Sequence, residues 1–453
     1  MRNIAELFPV KPRPGQVEAA ETLAGLLESG GAVVFTAPPG FGKTLTVLVA
    51  LKATGLLPAA WRVRALALAR RVADDAALAD LHAEVLTGRE RVCPHTLALG
   101  SDVHEWCRVR RGDCSYFAAR SCPYFFHPSA DVYVIAYFRR SPPRVIDIWD
   151  EAHNLLAPRE ICIDAEVVVE SSVELRSVNS ELASRVRALA SIEREGEVAV
   201  EEDIVTALYA AYLKLLERGE GRTATGKLFR ALRAQSVYVE GGRLCGASIT
   251  IPRKRPALFV SATLLPDLLG GKVVEIPWAK KYRATVVEGL TTRYDKFSER
   301  EVRGYGKLIW DLRKRYERVL VFATERVARV LAKFADMYEP ADLPSEWKGV
   351  LLLHTRGRFA EGVDIRADVV VMAGAPFPPP WVAEKLRRAL LKSGFIEAAS
   401  RIAEASMLST TLQCVGRATR RPEDDPLVVL ADERYKRYEK ELSKYFVFMD
   451  FTA

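Results

Sequence analysis

The chain has 453 residues, 49% hydrophobic and 27% charged, which suits a globular enzyme of two to four domains and excludes a fibrous or disordered chain. Its net charge of +8 leans towards a polyanionic partner. No apolar run approaches membrane-spanning length and the start is polar, so the expectation is a cytoplasmic chain with no membrane contact, whose seven cysteines serve as metal ligands or thiols rather than a disulfide scaffold.

In chain order, Val17–Glu28 reads as a helix preceded by Gln16, whose amide has one donor and one acceptor edge suited to adenine. Ala32–Phe35 reads as a strand, and Thr36-Ala37-Pro38-Pro39-Gly40-Phe41-Gly42-Lys43-Thr44 follows, with a helical run after it. Strand, glycine loop and helix in that order make a phosphate cradle: backbone N–H groups turn inward, Lys43 reaches the β- and γ-phosphates, and Thr44 holds Mg²⁺. The first position of the usual pattern is Ala37 instead of glycine. Ala65–Ala69 reads as a buried strand ending in Arg70-Arg71, with Arg70 placed for a nucleic-acid phosphate or a plain salt bridge, and Ala76–Leu86 has helical spacing.

Between Gly88 and Pro128 the texture changes. Cys93, Cys107, Cys114 and Cys122 cluster there without convincing periodicity, among six arginines that read as facing outward to phosphates. Four thiolates suit an iron–sulfur cluster or a zinc ion. The absence of paired CxxC knuckles disfavours zinc, while His95, His104 and His127 leave a mixed Cys/His zinc site open. Cys162, Cys245 and Cys414 are scattered and read as structural.

Asp131–Ala136 resumes the strand pattern and leads to Tyr137-Phe138-Arg139-Arg140, a pair of aromatics beside arginines that suits either base stacking or core packing. Val145–Trp149 is another strand, ending in Asp150-Glu151-Ala152-His153. A carboxylate pair there completes a nucleotide hydrolase: Asp150 holds Mg²⁺, Glu151 orients and deprotonates water, and His153 couples. Asn154–Gly246 reads as a helical insertion, with helices over Val173–Ile192, Glu201–Glu217 and Lys227–Ala234. Pro256–Val260 is a strand followed by Ser261-Ala262-Thr263. A second α/β unit starts near Thr291, with strands at Arg318–Phe322, Gly349–Leu353, Val369–Met372 and Leu427–Leu430, and helices at Arg326–Tyr338 and Trp381–Leu391. On a helix, Gln413, Gly416, Arg417 and Arg420 share one stripe, and its two arginines suit fingers on a γ-phosphate held by the other unit.

The phosphate loop, Asp150-Glu151-Ala152-His153, Ser261-Ala262-Thr263, Glu361-Gly362-Val363-Asp364 and Gln413-x-x-Gly-Arg-x-x-Arg420 stand in the order of superfamily 2 helicases. With the four cysteines, the chain resembles the XPD family of iron–sulfur helicases. Leu86-Thr87-Gly88-Arg89-Glu90-Arg91-Val92-Cys93 is similar to that family's entry to the cluster, Cys122-Pro123-Tyr124 to its exit, and Gly374-Ala375-Pro376-Phe377-Pro378 to its second-domain loop.

The resemblance implies an α/β fold: two RecA-like parallel-sheet motor domains, with an iron–sulfur cluster domain and a helical arch inserted in the first. The divisions are 1–86, 130–155 and 247–285 for the first motor domain, 87–129 for the cluster, 156–246 for the arch and 286–453 for the second motor domain. It implies ATP, Mg²⁺ and a four-iron, four-sulfur cluster on Cys93, Cys107, Cys114 and Cys122. Nucleotide contacts fall on Gln16, Pro38, Pro39, Gly40, Phe41, Gly42, Lys43, Thr44, Asp150, Asp364 and Gln413, and catalysis on Lys43, Glu151, Arg417 and Arg420. DNA contacts fall on Arg70, Arg89 and Tyr137. The implied activity is 5′-to-3′ movement on single-stranded or forked DNA, with repair proteins as partners. Helicase action on RNA or RNA–DNA hybrids, and an ATP-gated DNA clamp or damage sensor, are the alternatives. Two departures stand out: the insertion is short for the family, and Arg71-Val72-Ala73 replaces the pattern expected after Arg70.

Overall fold

The computed structural model describes residues 3–137, 139–143, 145–191, 194–249, 257–263, 268–278, 280–344, 346–357, 359, 364–419 and 423–450. The first unit opens with helix α1 (Gln16–Glu28), strand β1 (Ala32–Thr36), helix α2 (Lys43–Thr54), β2 (Ala59–Val63), α3 (Ala69–Leu78) and β3 (Ala83–Leu86). Four short helices then carry the cysteine window: α4 (Arg89–Val92), α5 (Thr96–Leu99), α6 (Val103–Arg110) and α7 (Ser115–Ala118). Strands β4 (Val132–Ala136) and β5 (Ile146–Trp149) return to the first sheet.

The insertion comprises β6 (Arg159–Ile163), α8 (Ala165–Leu175), α9 (Ser180–Leu189), β7 (Gly196–Glu197), α10 (Glu202–Glu217), α11 (Ala224–Leu232), β8 (Ser236–Glu240) and β9 (Arg243–Ser248). After β10 (Ala257–Ser261) and β11 (Lys272–Glu275) the second unit runs through β12 (Tyr282–Val286), α12 (Glu299–Arg315), β13 (Arg318–Ala323), α13 (Glu325–Leu331), β14 (Met337–Tyr338) and β15 (Gly349–His354). It ends with β16 (Val369–Ala373), α14 (Pro380–Lys392), α15 (Ile396–Val415), β17 (Leu427–Ala431), α16 (Glu439–Leu442) and β18 (Phe446–Phe448).

Two seven-stranded sheets, each parallel throughout, form the two motor units. The first has the order β11-β1-β10-β5-β2-β4-β3 and the second β14-β15-β13-β16-β17-β12-β18. Parallel strands covered on both faces need continuous apolar runs, and β1, β10, β13 and β16 are accordingly buried along nearly their whole length. Helix α2 is apolar all round because it lies inside: Leu45 to Leu51 are all buried. The order β1-β10-β5 sets the C-terminal ends of three strands side by side, where ligands bind in such sheets.

Several expectations are corrected. The strand expected at Ala65–Ala69 lies six residues earlier, at β2. There Arg62, placed inside the sheet, is satisfied by Asp147 at 3.0 Å and by the carbonyls of Tyr137 and Arg139 at 2.8 and 2.9 Å. The apolar run itself turns and starts α3, and the helix expected over Ala76–Leu86 stops at Leu78 before β3. The helix expected over Val173–Ile192 is two helices, broken between Leu175 and Ser180, where Asn179 caps the second by accepting from Leu182 N at 3.0 Å.

The insertion is not purely helical: β6-β9-β8-β7 form an antiparallel sheet beside its helices. Cys162 and Cys245 are direct partners across β6 and β9, with Cα atoms 4.0 Å apart, and are joined by a disulfide. β12 belongs to the second sheet, so that unit begins at Tyr282 rather than after residue 285.

The cysteine window docks on the insertion through Asp102, which is fully buried. Its carboxylate accepts from Thr223 N (2.7 Å), Thr223 Oγ1 (2.9 Å), Tyr212 Oη (2.9 Å) and Arg230 Nη1 (3.0 Å). The insertion also reaches the second motor unit, through Arg243–Glu325 and Lys385–Glu197, both at 3.0 Å. Among the described residues no helix is long and apolar enough to cross a membrane.

Candidate nucleotide site

Between β1 and α2 the chain turns on Gly40 (φ 79°) and Gly42 (φ 90°), conformations that cost a side chain strain. A Cβ on Gly42 would also lie 2.5 Å from the Gln16 amide nitrogen. The turn aims the N-terminus of α2 at the loop, an anion-binding arrangement. Lys43 Nζ folds back and donates to the carbonyls of Ala37 (3.0 Å) and Pro38 (3.2 Å), contacts that a phosphate can replace. The N–H of Ala37 donates to Ser261 O at 3.2 Å, stitching the loop to β10.

Gln16, expected to face adenine, is buried and pinned to the loop. It accepts from Arg13 N at 2.7 Å and donates to Phe41 O at 2.9 Å. Its amide edges are thus engaged with the cradle in this conformation.

One strand away from β10, β5 delivers Asp150 and Glu151. Burial pushes the Asp150 carboxyl up to about 6, with the neighbouring Glu151 charge adding to the effect. Trp61 Nε1 donates to Asp150 Oδ2 at 3.2 Å, and Glu151 N to Oδ1 at 2.9 Å. Glu151 is left-handed (φ 48°), a strained backbone for a non-glycine residue that holds its side chain out from the sheet end.

His153 is buried, and desolvation brings its imidazole down to about 4, so it is neutral at physiological pH. Its Nδ1 lies 2.8 Å from Ser261 Oγ and 3.4 Å from Glu151 Oε2. Its Nε2 meets the side-chain amide nitrogen of Gln413, from the second motor unit. With the Gln413 amide nitrogen against Nε2, the neutral ring is assigned its proton on Nδ1, facing Ser261. Thr263 repeats the bridge, its carbonyl accepting from Ser409 Oγ at 3.1 Å. The two motor units therefore meet through hydrogen bonds at the end of the nucleotide strands.

Arg417 is buried, and its charge opposes protonation of His153 together with those of Lys43 and Arg64. Helix α15 ends at Val415, so the four-residue stripe expected along one helix is corrected: Gln413 lies on the last turn, and Gly416 and Arg417 lie beyond it. The Arg417 carbonyl accepts from Ile365 N at 2.9 Å, which brings the segment after exposed Asp364 alongside. Arg420 and residues 361–363 lie outside the described residues. Sequence reasoning missed Trp61, Ser409 and Asp75. Asp75 bonds Thr44 through its carboxyl, which burial raises above the ordinary range. None carries a signal in the chain, because each is defined by its partner.

The expected DNA contacts diverge. Arg70 is exposed on the first turn of α3. Tyr137 is a correction: it is buried, packs edge-on to Trp149 at 5.3 Å, and donates its hydroxyl to the Asp150 and Glu151 carbonyls, so its ring is core rather than a stacking platform. Of the window's arginines, Arg91, Arg108, Arg110, Arg111 and Arg120 are exposed. Arg89 instead turns inward, 4.3 Å over the Tyr124 ring, and donates to His104 O at 2.9 Å.

Cys107, Cys114 and Cys122 are buried and Cys93 half-buried, all as free thiols. Burial pushes the Cys93 and Cys107 thiols up, and negative charge on neighbouring cysteines of the set raises both further. Among the described residues no three Cys, His, Asp or Glu side chains converge tightly enough for a single metal ion.

Residues 301–447 match the family model of the helicase C-terminal domain. No curated protein sequence matches the chain. The whole fold is similar to an XPD helicase structure at 17% identity and a TM-score of 0.70, covering 98% of this chain and 100% of that one. It is likewise similar to Xpd4 of S. tokodaii (16%, 0.66, 97% and 100%) and to an apo XPD structure (16%, 0.65, 97% and 100%). The chain has the XPD fold of two RecA-like motor units with insertions in the first.

Proposed function

We propose that the chain is an ATP-dependent helicase of the XPD family, moving 5′-to-3′ along single-stranded DNA and opening forked DNA. The observation that carries this reading is the bridge from His153 to Gln413, which ties the hydrolytic carboxylates of one motor unit to the other. Lys43 and the loop amides hold the β- and γ-phosphates, Asp150 and Thr44 hold Mg²⁺, and Glu151 takes the proton of the attacking water. Mg²⁺, when bound, neutralises phosphate charge. Arg417, with Arg420, meets the γ-phosphate from the second unit and draws the units together; loss of that phosphate releases them. Asp364 and Gln413 complete the nucleotide contacts, with Gln413 exchanging its His153 partner as the cleft closes.

Cys93, Cys107, Cys114 and Cys122 are proposed to hold a four-iron, four-sulfur cluster. Four neighbouring thiols, of which Cys93 and Cys107 are pushed up by burial, are the donor set that a multi-iron core neutralises, and its thiolates stand farther apart than those around one zinc ion. Cluster ligation supplies folding energy to a segment made of four short helices. Arg70 and Arg89 are the proposed contacts to the strand, and DNA repair with partner proteins is the proposed setting.

The test is strand displacement on DNA, RNA and hybrid forks carrying either a 5′ or a 3′ tail. Unwinding of the 5′-tailed DNA fork alone is the expected result. Activity confined to RNA or hybrid forks would reassign the substrate, and ATP-dependent binding without displacement on any fork would make the chain a clamp.

A further inference from the structure

Helix α12 presents two unlike faces. Val302, Tyr305, Leu308, Ile309 and Leu312 are buried against the second sheet. Opposite them, Arg300, Arg303, Lys307, Trp310 and Lys314 recur at alternating intervals of three and four residues, which places all five on one stripe. All five are exposed. Trp310 is 56% exposed, with Lys314 Nζ 4.9 Å over its ring. The turn Ala332–Phe334 packs its Phe334 ring on Gly306 and adds exposed Lys333 beside the helix. The acidic groups near the stripe are Glu299, 3.5 Å from Arg303, Glu301, whose charge meets that of Arg300, and half-buried Asp311.

Neither a charged helix face nor one exposed aromatic needs a ligand by itself; here the two coincide on one stripe. Large aromatics left in water mark binding surfaces, and cations alternating with an aromatic are what single-stranded nucleic acid uses: phosphates on the charges and a base on the ring. The stripe is also continuous with a cleft. A cavity of about 1180 Å³ opens at the C-terminal edge of the second sheet, with cations and aromatics such as Arg326, Arg434 and Trp381 on its wall beside carboxylates such as Glu160, Glu240 and Glu325. Asp295 lies on its wall, Ser298 caps α12 with a capping box, and Arg300 is the first cation of the stripe. The stripe begins five residues after the cleft's wall residue Asp295 and runs about 21 Å along the helix, at ~1.5 Å per residue.

We propose that this face of α12 is a second, external nucleic-acid track that holds single-stranded nucleic acid where it leaves the cleft. The inference rests on the reading of the chain as a nucleic-acid motor. The occupant is a single strand rather than an acidic polypeptide because the stripe sets an exposed ring among its cations, with Lys314 over that ring, an arrangement that a base and its phosphates match and a carboxylate chain does not.

The test uses the full chain and fluorescently labelled oligothymidylate in two lengths, about 10 nucleotides for the cleft alone and about 40 for cleft and track together. The variants are Arg303→Ala/Lys307→Ala/Lys314→Ala, Trp310→Ala and Trp310→Phe, all at exposed positions where alanine favours the helix. For the long strand, the triple variant should lower the salt slope by about 2, at ~0.7 per cation lost, so between about 50 and 200 mM salt the wild type loses roughly 20-fold more affinity than the variant. Trp310→Ala should weaken long-strand binding at least about fivefold and Trp310→Phe should restore it. Short-strand affinity and ATP hydrolysis on the short strand should not change. Equal salt slopes on the long strand overturn the track. So does loss of poly-glutamate binding in the triple variant with strand binding intact, which assigns the face to an acidic protein. A wild type that binds neither strand overturns the motor reading and the track with it; a wild type that binds both, beside variants that match it, overturns the track alone.

Discussion

His153 and Gln413 touch, ring nitrogen to side-chain amide, across 260 residues of chain and across the boundary between the motor units. The ring is buried and neutral, with its other nitrogen on Ser261. Gln413→Ala should leave the phosphate loop intact while breaking the link from nucleic acid to hydrolysis. Stimulation of ATP turnover by single-stranded DNA should fall roughly tenfold, within the usual range of coupling energies, and by more than ATP affinity, to which Gln413 adds one contact beside those of the phosphate loop. Equal stimulation in the variant and the wild type would remove Gln413 from the coupling route.

Lys43→Ala should abolish the charge that replaces water around the phosphates, and Glu151→Gln should permit binding but not turnover. Each should lower DNA-stimulated hydrolysis on the order of 100-fold or more. Steady-state ATPase with a nucleotide-binding control distinguishes them: only Lys43→Ala should also lose affinity. Arg417→Ala should resemble Glu151→Gln, since an arginine from the second unit acts on transition-state charge.

The two buried groups beside the loop titrate in opposite senses. His153 is held at about 4, below its ordinary value near 6.5. Between those values the unfolded chain takes up a proton that the folded chain refuses, so its contribution is lost as pH falls. Asp150, held up to about 6, keeps a proton that the unfolded chain has released, so its contribution is lost as pH rises. The wild type therefore carries two offsetting slopes between about pH 4 and 6. His153→Gln removes one of them. Relative to wild type, the variant should gain about 2 kcal/mol on acidification from pH ~7 to ~5. The measurement is the thermal unfolding transition of both proteins at the two pH values. A constant offset between them would mean that His153 is not refusing a proton in the folded chain.

Protein purified without oxygen should be brown and carry about four irons per chain. Cys107→Ser or Cys114→Ser should lose iron and unwinding but retain ATP hydrolysis, because the phosphate loop and carboxylates lie on a sheet that these thiols do not build. Iron and acid-labile sulfide analysis reads the result. Stoichiometric zinc without sulfide would replace the cluster with a mixed-ligand zinc site.

Asp102, although fully buried, links the cysteine window to the insertion through four hydrogen bonds, one of which is also its ion pair with Arg230. Asp102→Asn takes the counter-charge from half-buried Arg230 and turns an amide donor towards the donors around it, at a cost of roughly 1–3 kcal/mol. Proteolysis within residues 94–128 should accelerate before the motor units unfold. A protease pattern identical to wild type would show that the window is held elsewhere.

The phosphate loop and the carboxylates that face it were legible in the chain alone, because their chemistry sits in contiguous backbone. Glycines at Gly40 and Gly42, a lysine at the helix start and a paired carboxylate at a strand end are local requirements, and the strands that carry them are apolar enough to be read directly. Most strands of the second unit were legible for the same reason. The errors fall where a partner decides. Ala65–Ala69 looks more like a strand than Ala59–Val63, yet Arg62 goes inside because Asp147 and two carbonyls await it there. Tyr137 looks like a stacking ring until its hydroxyl finds the carbonyls of Asp150 and Glu151. Cys162 and Cys245 look scattered until β6 and β9 pair them. By itself the sequence determined the local backbone of the loop and of the strands around it. The tertiary structure alone decided which buried polar groups have partners, because the free energy of burying a charge or a hydroxyl depends on a second group that the chain brings up from tens or hundreds of residues away.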